Sequence, residues 1–292
     1  MPKTILVVGA TGNHGPVVAR RLSDDGFDVR VLTRRREKAV QKLGDRFPIF
    51  QGDVGDAASL QPALAGCWGV HINLRGWWKD RSHDRIEHRG TANVVRAAKE
   101  AGVERLTYLS CLHARPEYAA ELPSLKAKVD AEAVVREGGI PYAIFAPSFF
   151  MENTYHLQPG KRLFVPEIPG RKFHYIAGDD YARLVSRVFQ MPQAPNRRFE
   201  LYGPEAITQA EAVRRYCAQV RPETRIHFIP VWLGDLYVRL IRHKNRQYAM
   251  RVVRFYKRVG EPGGPETADR SLGTPGTTYQ SWCEAQRAVP AV

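Results

Sequence analysis

The sequence predicts an α/β protein, a doubly wound parallel sheet followed by a smaller α+β domain, and three observations predict it. Short β-rich runs alternate with amphipathic helical stretches through the first half of the chain. The first run leads directly into a glycine turn, Gly9 to Gly15, which opens a helix. After Pro147 the alternation loosens, and proline and glycine recur at Pro159, Gly160, Pro166, Pro169 and Gly170.

Strand-like runs fall near residues 4–8, 28–32, 47–50, 68–74, 105–110 and 141–146. Behind the glycine turn, Pro16 suits the first turn of a helix, Val18, Ala19 and Leu22 form an inward stripe, and Gly26 can take the left-handed backbone that ends it. A shorter helix stops at Gly44, and another runs from Thr91 to Ala101 with Gly102 as its stop. Sheet, glycine turn and helices together predict a Rossmann-type domain over residues 1–150. Residues 151–292 are expected to form mainly a substrate-side domain, with segments near 179–202 returning to the core. Thr208 with Glu211 reads as a capping box that opens a helix through about Val220. Residues 233–259 form a basic amphipathic stretch. A helical pair is expected there, its stripe of Leu233, Leu236, Tyr237, Leu240, Ile241, Val252, Val253 and Tyr256 packed on the protein and its arginines and lysines solvated, with docking to a membrane surface the weaker alternative.

Composition excludes several classes. With 43% hydrophobic and 25% charged residues in 292, the chain can bury a substantial core and is not disordered. Its longest apolar candidate, Gly139 to Met151, is broken by Pro141 and Pro147 and cannot cross a bilayer. Met1 to Thr4 run straight into Ile5 to Val8, which leaves no room for a signal peptide, so a cytoplasmic location is expected. Four cysteines, Cys67, Cys111, Cys217 and Cys283, are scattered without a CxxC and read as reduced thiols rather than a metal site or disulfide framework. The formal charge of +14 favours phosphorylated ligands, nucleic acid or anionic lipid alike. No zinc-finger, RNP or basic-zipper pattern accompanies it, so nucleic acid is not the expected partner.

The chemistry is concentrated in a few positions. In Gly9-Ala10-Thr11-Gly12-Asn13-His14-Gly15 the glycines let backbone approach a diphosphate, and the amides and dipole at the helix start favour its charge. The second strand ends in Thr33-Arg34-Arg35-Arg36, without the carboxylate that would bind a ribose 2′-hydroxyl. Arg34 or Arg35 could instead fork onto a 2′-phosphate, which favours NADP(H), although at least one of the three is expected to be merely solvated. Asp53 after the third strand can accept from an adenine amino group while Val54 covers the ring. Capping of the next helix is the other reading of Asp53, although Asp56 suits that better. Ser110 ends the fifth strand, where open sheets place ligand-contacting groups; a plain strand-end hydrogen bond is its other reading. Arg75, Trp77 and Trp78 could wall a substrate pocket, with an exposed loop or a partner contact the equal alternative. His83, Glu87 and His88 suggest a metal site only superficially, and a solvated helix face is the expected reading.

These residues resemble the NmrA-like NAD(P)-binding proteins, an atypical group of short-chain dehydrogenase/reductases. The likeness extends over Val7 to Gly15, Gly52-Asp53-Val54, Gly90 to Val95 with Ala97-Ala98, and Leu109-Ser110. It continues in Lys128 with Glu132, Gly139 to Tyr142, Pro147 to Asn153, Asp180-Tyr181-Ala182, and Tyr202 to Glu205 with Thr208. The resemblance implies that Thr11, Gly12, Asn13 and His14 hold the pyrophosphate, Arg34 the adenosine end and Lys128 the nicotinamide ribose, with Ser148, Phe149 and Phe150 bordering the nicotinamide. The wider superfamily uses a Tyr-x-x-x-Lys pair for proton delivery, and here Ser124 stands four residues before Lys128. A serine hydroxyl is too weak an acid to replace tyrosine unaided, which puts ordinary carbonyl reduction in doubt. Lys128 and Ser110 remain the candidate catalytic residues, a helix-surface salt bridge with Glu132 being the other reading of Lys128. The expected function is NADPH-dependent oxidoreduction of a small carbonyl, quinone or unsaturated substrate; the alternative is a non-catalytic NADP(H) sensor that binds a protein partner.

Overall fold

The computed structural model describes residues 2–76, 82–157, 161–241, 244–266, 268 and 270–286. The chain forms two compact units, one of Met1–Ala146, Gly178–Glu200 and Asp269–Gly273, the other of Pro147–Ala177, Leu201–Ala268 and Thr274–Val292. In chain order the elements are β1 (Thr4–Val8), α1 (Gly15–Asp24), β2 (Asp28–Thr33), α2 (Arg36–Leu43), β3 (Ile49–Gln51), α3 (Gln61–Leu64), β4 (Gly69–Ile72), α4 (Gly90–Glu100), β5 (Arg105–Leu109), α5 (Pro123–Glu137) and β6 (Tyr142–Pro147). They continue as β7 (Phe149–Phe150), β8 (Arg162–Pro166), β9 (Lys172–Ile176), α6 (Gly178–Gln190), β10 (Arg197–Leu201) and β11 (Ala206–Thr208). The last are α7 (Gln209–Val220), β12 (Arg225–Ile229), α8 (Val231–Ile241), α9 (Lys244–Val259) and α10 (Tyr279–Gln286).

The first unit is built on a seven-stranded sheet of order β10-β6-β5-β4-β1-β2-β3, in which every neighbouring pair from β6 to β3 is parallel. The expected α/β class with a doubly wound parallel sheet is therefore what the structure shows. Parallel strands covered on both faces need apolar side chains on both, and Ile5, Leu6, Val7 and Val8 are all buried. Each such side chain contributes about 1.5–3 kcal/mol through removal from water. The chain winds outward from β1 through β3, then crosses to β4, so the carboxyl ends of β1 and β4 diverge and leave a crevice.

Helix signals in the sequence have their expected outcomes here. In α1, Val18, Ala19 and Leu22 are buried, and Gly26 beyond its end has φ +90°. Gly44 stops α2 at φ +66°. The stretch expected to start at Thr91 instead begins earlier, as a wide π-helical turn over His83–Arg89 that runs into α4. Arg105 on β5 reaches across to α6 and donates to the carbonyls of Val188, Met191 and Pro192 at 3.0, 2.6 and 3.1 Å, taking up acceptors that a helix end leaves unsatisfied.

The second unit holds a three-stranded sheet of order β11-β9-β7 and a separate parallel pair of β12 with β8. Its core gathers Phe173, Tyr175, Tyr216, Tyr279 and Trp282. The capping box at Thr208 is formed, with the Glu211 amide donating to the Thr208 hydroxyl at 3.1 Å and the Thr208 amide to the Glu211 carboxylate at 2.7 Å.

One expectation is overturned at α8. Its Leu233, Leu236, Tyr237, Leu240 and Ile241 are exposed, together with Trp232, and the helix buries Val231, Gly234 and Val238 instead. The physical reason lies in α9, whose Met250 completes a small core with Val231 and Val238. A Cβ on Gly234 would stand 2.9 Å from the Met250 methyl, so the narrow side of α8 is the one that admits its neighbour.

Candidate functional site

The glycine turn follows β1 and is closed from below by the end of β4. Gly9 has φ +83°, and a Cβ on it would lie 2.0 Å from the carbonyl oxygen of Asn73. A Cβ on Gly15 would lie 2.3 Å from the Gly9 oxygen. No side chain fits at either place, and the turn is drawn tight against the sheet. The Gly12 amide donates to the Gly9 carbonyl at 2.9 Å, which points the exposed tip of Gly12 and Asn13 outward. Behind that tip α1 starts from a buried His14 and carries no side-chain cap, so its dipole and amides are presented to whatever sits at the turn. Half-buried Thr11 gives its carbonyl to Lys42 of α2, at 3.0 Å, a cation beside the turn that sequence reasoning missed.

Asn73 is the second residue missed. It follows β4 at the sheet's carboxyl edge, is buried, and its side-chain Nδ2 has no hydrogen-bond partner among the described residues. A buried donor left unpaired costs free energy unless a ligand or water satisfies it. The Asn73 backbone adjoins a turn whose glycines clear room for backbone approach, and these residues fit a dinucleotide. The position directly after an apolar strand was the available signal.

At the outer side of the crevice, Arg34 is 61% exposed and its guanidinium lies 4.0 Å from the Asp53 carboxylate. Arg35 is also exposed and forms the start of α2, its amide donating to the Thr33 hydroxyl at 3.2 Å. Arg36 is tied to the Ile49 carbonyl at 3.1 Å. Asp53 does not cap the following turn; Asp56 does, accepting from the Ala58 amide. The Asp53 carboxylate accepts from the Gly55 amide at 2.8 Å and lines a cleft of about 670 Å³ with Asp56, Arg85, Arg89 and Asn93. Val54 does not line that cleft: it is buried, and its carbonyl accepts from Asn93 at 2.8 Å.

Deeper in the crevice stands Lys128. Helix α5 places its ammonium at the carboxyl ends of β4 and β5, where it donates to the carbonyls of Leu74 at 3.1 Å and Leu109 at 2.8 Å. The Glu87 carboxylate lies 3.4 Å away, and the ammonium also sits 5.0 Å over the Tyr108 ring. Burial alone would raise the Glu87 carboxyl, but Lys128, His83 and the Gly76 amide outweigh it and hold the group below its ordinary range. His83 and Glu87 are buried and bonded at 2.8 Å, contrary to the solvated helix face expected for them. The π-helical turn aims both inward, and a buried carboxylate requires such partners. His88 remains at the surface, bonded to Asp84 at 2.9 Å.

The helical neighbour Glu132 plays no part with Lys128. It is buried and accepts from Ser110 at 2.5 Å, Arg136 at 2.5 Å and Arg198 at 3.2 Å. Burial works against the Arg198 charge, yet Glu132 and Glu200 more than restore it. Ser110 therefore spends its hydroxyl on an internal ion network, and only Lys128 of the two catalytic candidates lies among groups at the crevice.

Ser148, Phe149 and Phe150 belong to the second unit. The Ser148 hydroxyl donates to Glu261, whose other carboxylate oxygen meets His174 Nδ1 at 2.5 Å. Phe149 packs edge-on to Phe173 and Tyr256, with centroids 4.7 and 4.8 Å away, and Phe150 is buried on β7. Arg75 is exposed, and Trp77 and Trp78 lie outside the described residues.

Comparisons with known proteins give the chain's family and fold relatives. The sequence profile of the NmrA-like family matches residues 1–278. The chain is 32% identical over 210 residues to the (4-alkanoyl-5-oxo-2,5-dihydrofuran-3-yl)methyl phosphate reductase of Streptomyces griseus subsp. griseus, covering 71% of this chain and 70% of that protein. It is 26% identical over 216 residues to the photosystem II assembly factor Ycf39 of Cyanophora paradoxa, covering 72% and 67%. In fold it is similar to the NADPH-dependent quinone oxidoreductase of Escherichia coli solved with NADPH, at a TM-score of 0.76 and 21% identity over 97% of this chain and 99% of that one.

Proposed function

Because the chain belongs to the NmrA-like family, we propose that it binds NADP(H) in the crevice of its first unit and reduces a quinone or other conjugated acceptor, with simple carbonyls less favoured. The observation that carries this reading is the partly buried Lys128 ammonium, fixed by Leu74, Leu109 and Glu87 at the carboxyl ends of β4 and β5. Bound NADPH supplies a hydride. The glycine turn and the start of α1 would hold its diphosphate, Arg34 its 2′-phosphate, and Lys128 the ribose nearest the reacting ring.

The choice of acceptor follows from the proton. With Ser124 in place of a tyrosine, no phenol stands four residues before Lys128 to deliver one. Hydride addition to a simple carbonyl generates an alkoxide that demands a positioned acid. Addition to a quinone generates a phenolate, whose conjugate acid has a pKa of about 10 and which takes its proton from water. Conjugated acceptors therefore tolerate this site best. The test is NADPH oxidation by the purified protein across a panel of quinones, enones and aldehydes. Turnover is expected with quinones or enones, and its absence across the whole panel despite NADPH binding overturns the reading.

Two variants refine it. Arg34→Ala is expected to lower the preference for NADPH over NADH by about tenfold in Kd, measured by calorimetry with both nucleotides; an unchanged ratio removes Arg34 from the 2′-phosphate. Lys128→Met is expected to reduce kcat/KM by on the order of 100-fold. It also takes the ammonium from the Glu87 carboxylate, leaving it only His83 and the Gly76 amide, which costs up to about 3–5 kcal/mol of stability. The pair Lys128→Met with Glu87→Gln should recover much of that stability while activity stays low, which separates the two roles.

Ser124 also supports a second reading, in which the protein responds to NADP(H) without turnover and acts on a protein partner. An assembly factor among its relatives is consistent with that. Silent binding of NADPH, together with a partner captured only in one nucleotide state, favours it over the reductase.

A further inference from the structure

We propose that the α8–α9 pair docks this protein on an anionic lipid bilayer, independently of the reductase reading. The outward side of α8 is a stripe of Trp232, Leu233, Leu236, Tyr237, Leu240 and Ile241, with Trp232 66% and Leu240 74% exposed. Side chains of this size in one continuous face are unfavourable in water, and the stripe is not a fragment of a larger core, since Val231, Val238 and Met250 complete that on the opposite side. The helix is 11 residues long, and no helix among the described residues is long and apolar enough to cross a membrane. It can lie in the plane of a headgroup layer with its tryptophan at the boundary.

Charge selects the occupant. Arg239 is exposed on α8 itself, and exposed Lys244 and Arg246 open α9. The Arg246 guanidinium lies 5.4 Å over the ring of Tyr237 and donates to its hydroxyl, so a cation borders the apolar stripe directly. Asp235 is the only acidic residue in the sequence from 231 to 259, and it is already paired with Arg254 at 2.9 Å. A second copy docked face to face would bring this same cationic rim against itself, with Asp235 already engaged by Arg254. Anionic headgroups supply the missing negative charge while acyl chains take the stripe.

The test is sedimentation of the full chain with vesicles of phosphatidylglycerol and phosphatidylcholine, and with phosphatidylcholine alone. Binding is expected to the anionic vesicles only, and to weaken at least about tenfold as NaCl rises from about 0.05 to about 0.5 M. The triple variant Trp232→Gln, Leu236→Gln, Leu240→Gln should bind on the order of 100-fold more weakly. These side chains are exposed, and an unchanged circular dichroism melt verifies that the variant is folded. Charge reversal of Arg239, Lys244 and Arg246 to glutamate should abolish the preference for anionic vesicles. The proposal is overturned if the wild-type chain fails to sediment, if it binds neutral vesicles equally, or if the triple variant binds as well as wild type. It is equally overturned if light scattering finds a wild-type dimer that the triple variant converts to monomer without any vesicle binding.

Discussion

Replacing Gly12 by aspartate is expected to raise the Kd for NADPH by about a thousandfold, or about 4 kcal/mol. Gly12 stands at the exposed tip of the turn, and a Cβ there meets only the Gly9 carbonyl, at 3.1 Å. The backbone can accommodate a side chain after a shift of a few tenths of an ångström, so the fold should survive. What changes is the ligand's place: a carboxylate would occupy the mouth of α1, where the dipole and amides otherwise meet a diphosphate. Isothermal calorimetry at low salt measures the loss, and a thermal melt within a few degrees of wild type attributes it to binding. Gly12→Ala should lose far less, because it adds bulk without charge. If Gly12→Asp binds NADPH as tightly as wild type, the diphosphate does not sit at this turn.

Acid sensitivity of the fold is the second large effect. His71 is fully buried in β4, its Nδ1 bonded to the Thr107 hydroxyl at 2.9 Å and its Nε2 3.4 Å from the hydroxyl of Tyr181. Burial pushes its pKa down from 6.5 to about 3. The folded chain therefore keeps His71 neutral while the unfolded chain protonates it below 6.5, so the unfolded state binds more protons. Stability should fall as pH drops through this window, by up to about 1.4 kcal/mol per pH unit. The carboxyls held low, such as Asp25 and Glu87, have ordinary values of 3.8 and 4.5 and add their own losses only below those. Between 6.5 and 4.5 the difference between wild type and His71→Gln isolates the histidine, at roughly 2.5 kcal/mol. Urea unfolding at a series of pH values measures it, and parallel curves for the two proteins would refute the assignment.

Much of the sheet was legible because parallel strands buried on both faces must be written in unbroken apolar runs, as Ile5 to Val8 and Ala143 to Ala146 are. Helix ends were legible where glycine supplies a positive φ, as at Gly26 and Gly44. The glycine turn could be read because its residues are contiguous. Lys128 could be placed only by resemblance, since its partners Leu74, Glu87 and Leu109 come from three separate elements and two of them contribute backbone oxygens. His83 and Glu87 looked solvated because charge spaced four apart usually marks a wet helix face; the π-helical turn that buries them has no periodic signature. For Ser110 the sequence left two readings open, ligand contact or a strand-end hydrogen bond. Its place at a strand end was right, but the direction of its hydroxyl is set by Glu132 and Arg198, far off in the sequence. Helix α8 is apolar on nearly every side, so its sequence does not say which side turns inward, and Met250 decides it.

The return of residues 178–200 to the first unit has a consequence for synthesis. A nascent chain that has emerged only as far as Ala146 possesses six strands but neither β10, which pairs with the outer edge of β6, nor α6, which packs on α1. Until that segment leaves the ribosome, the β6 edge is an open template for pairing with other chains, and the Arg105 guanidinium has none of its three carbonyl acceptors. The second unit's first strands, β7 to β9, are made before the first unit's sheet can close, and its residues 201–268 only afterwards, so the two units are synthesised interleaved.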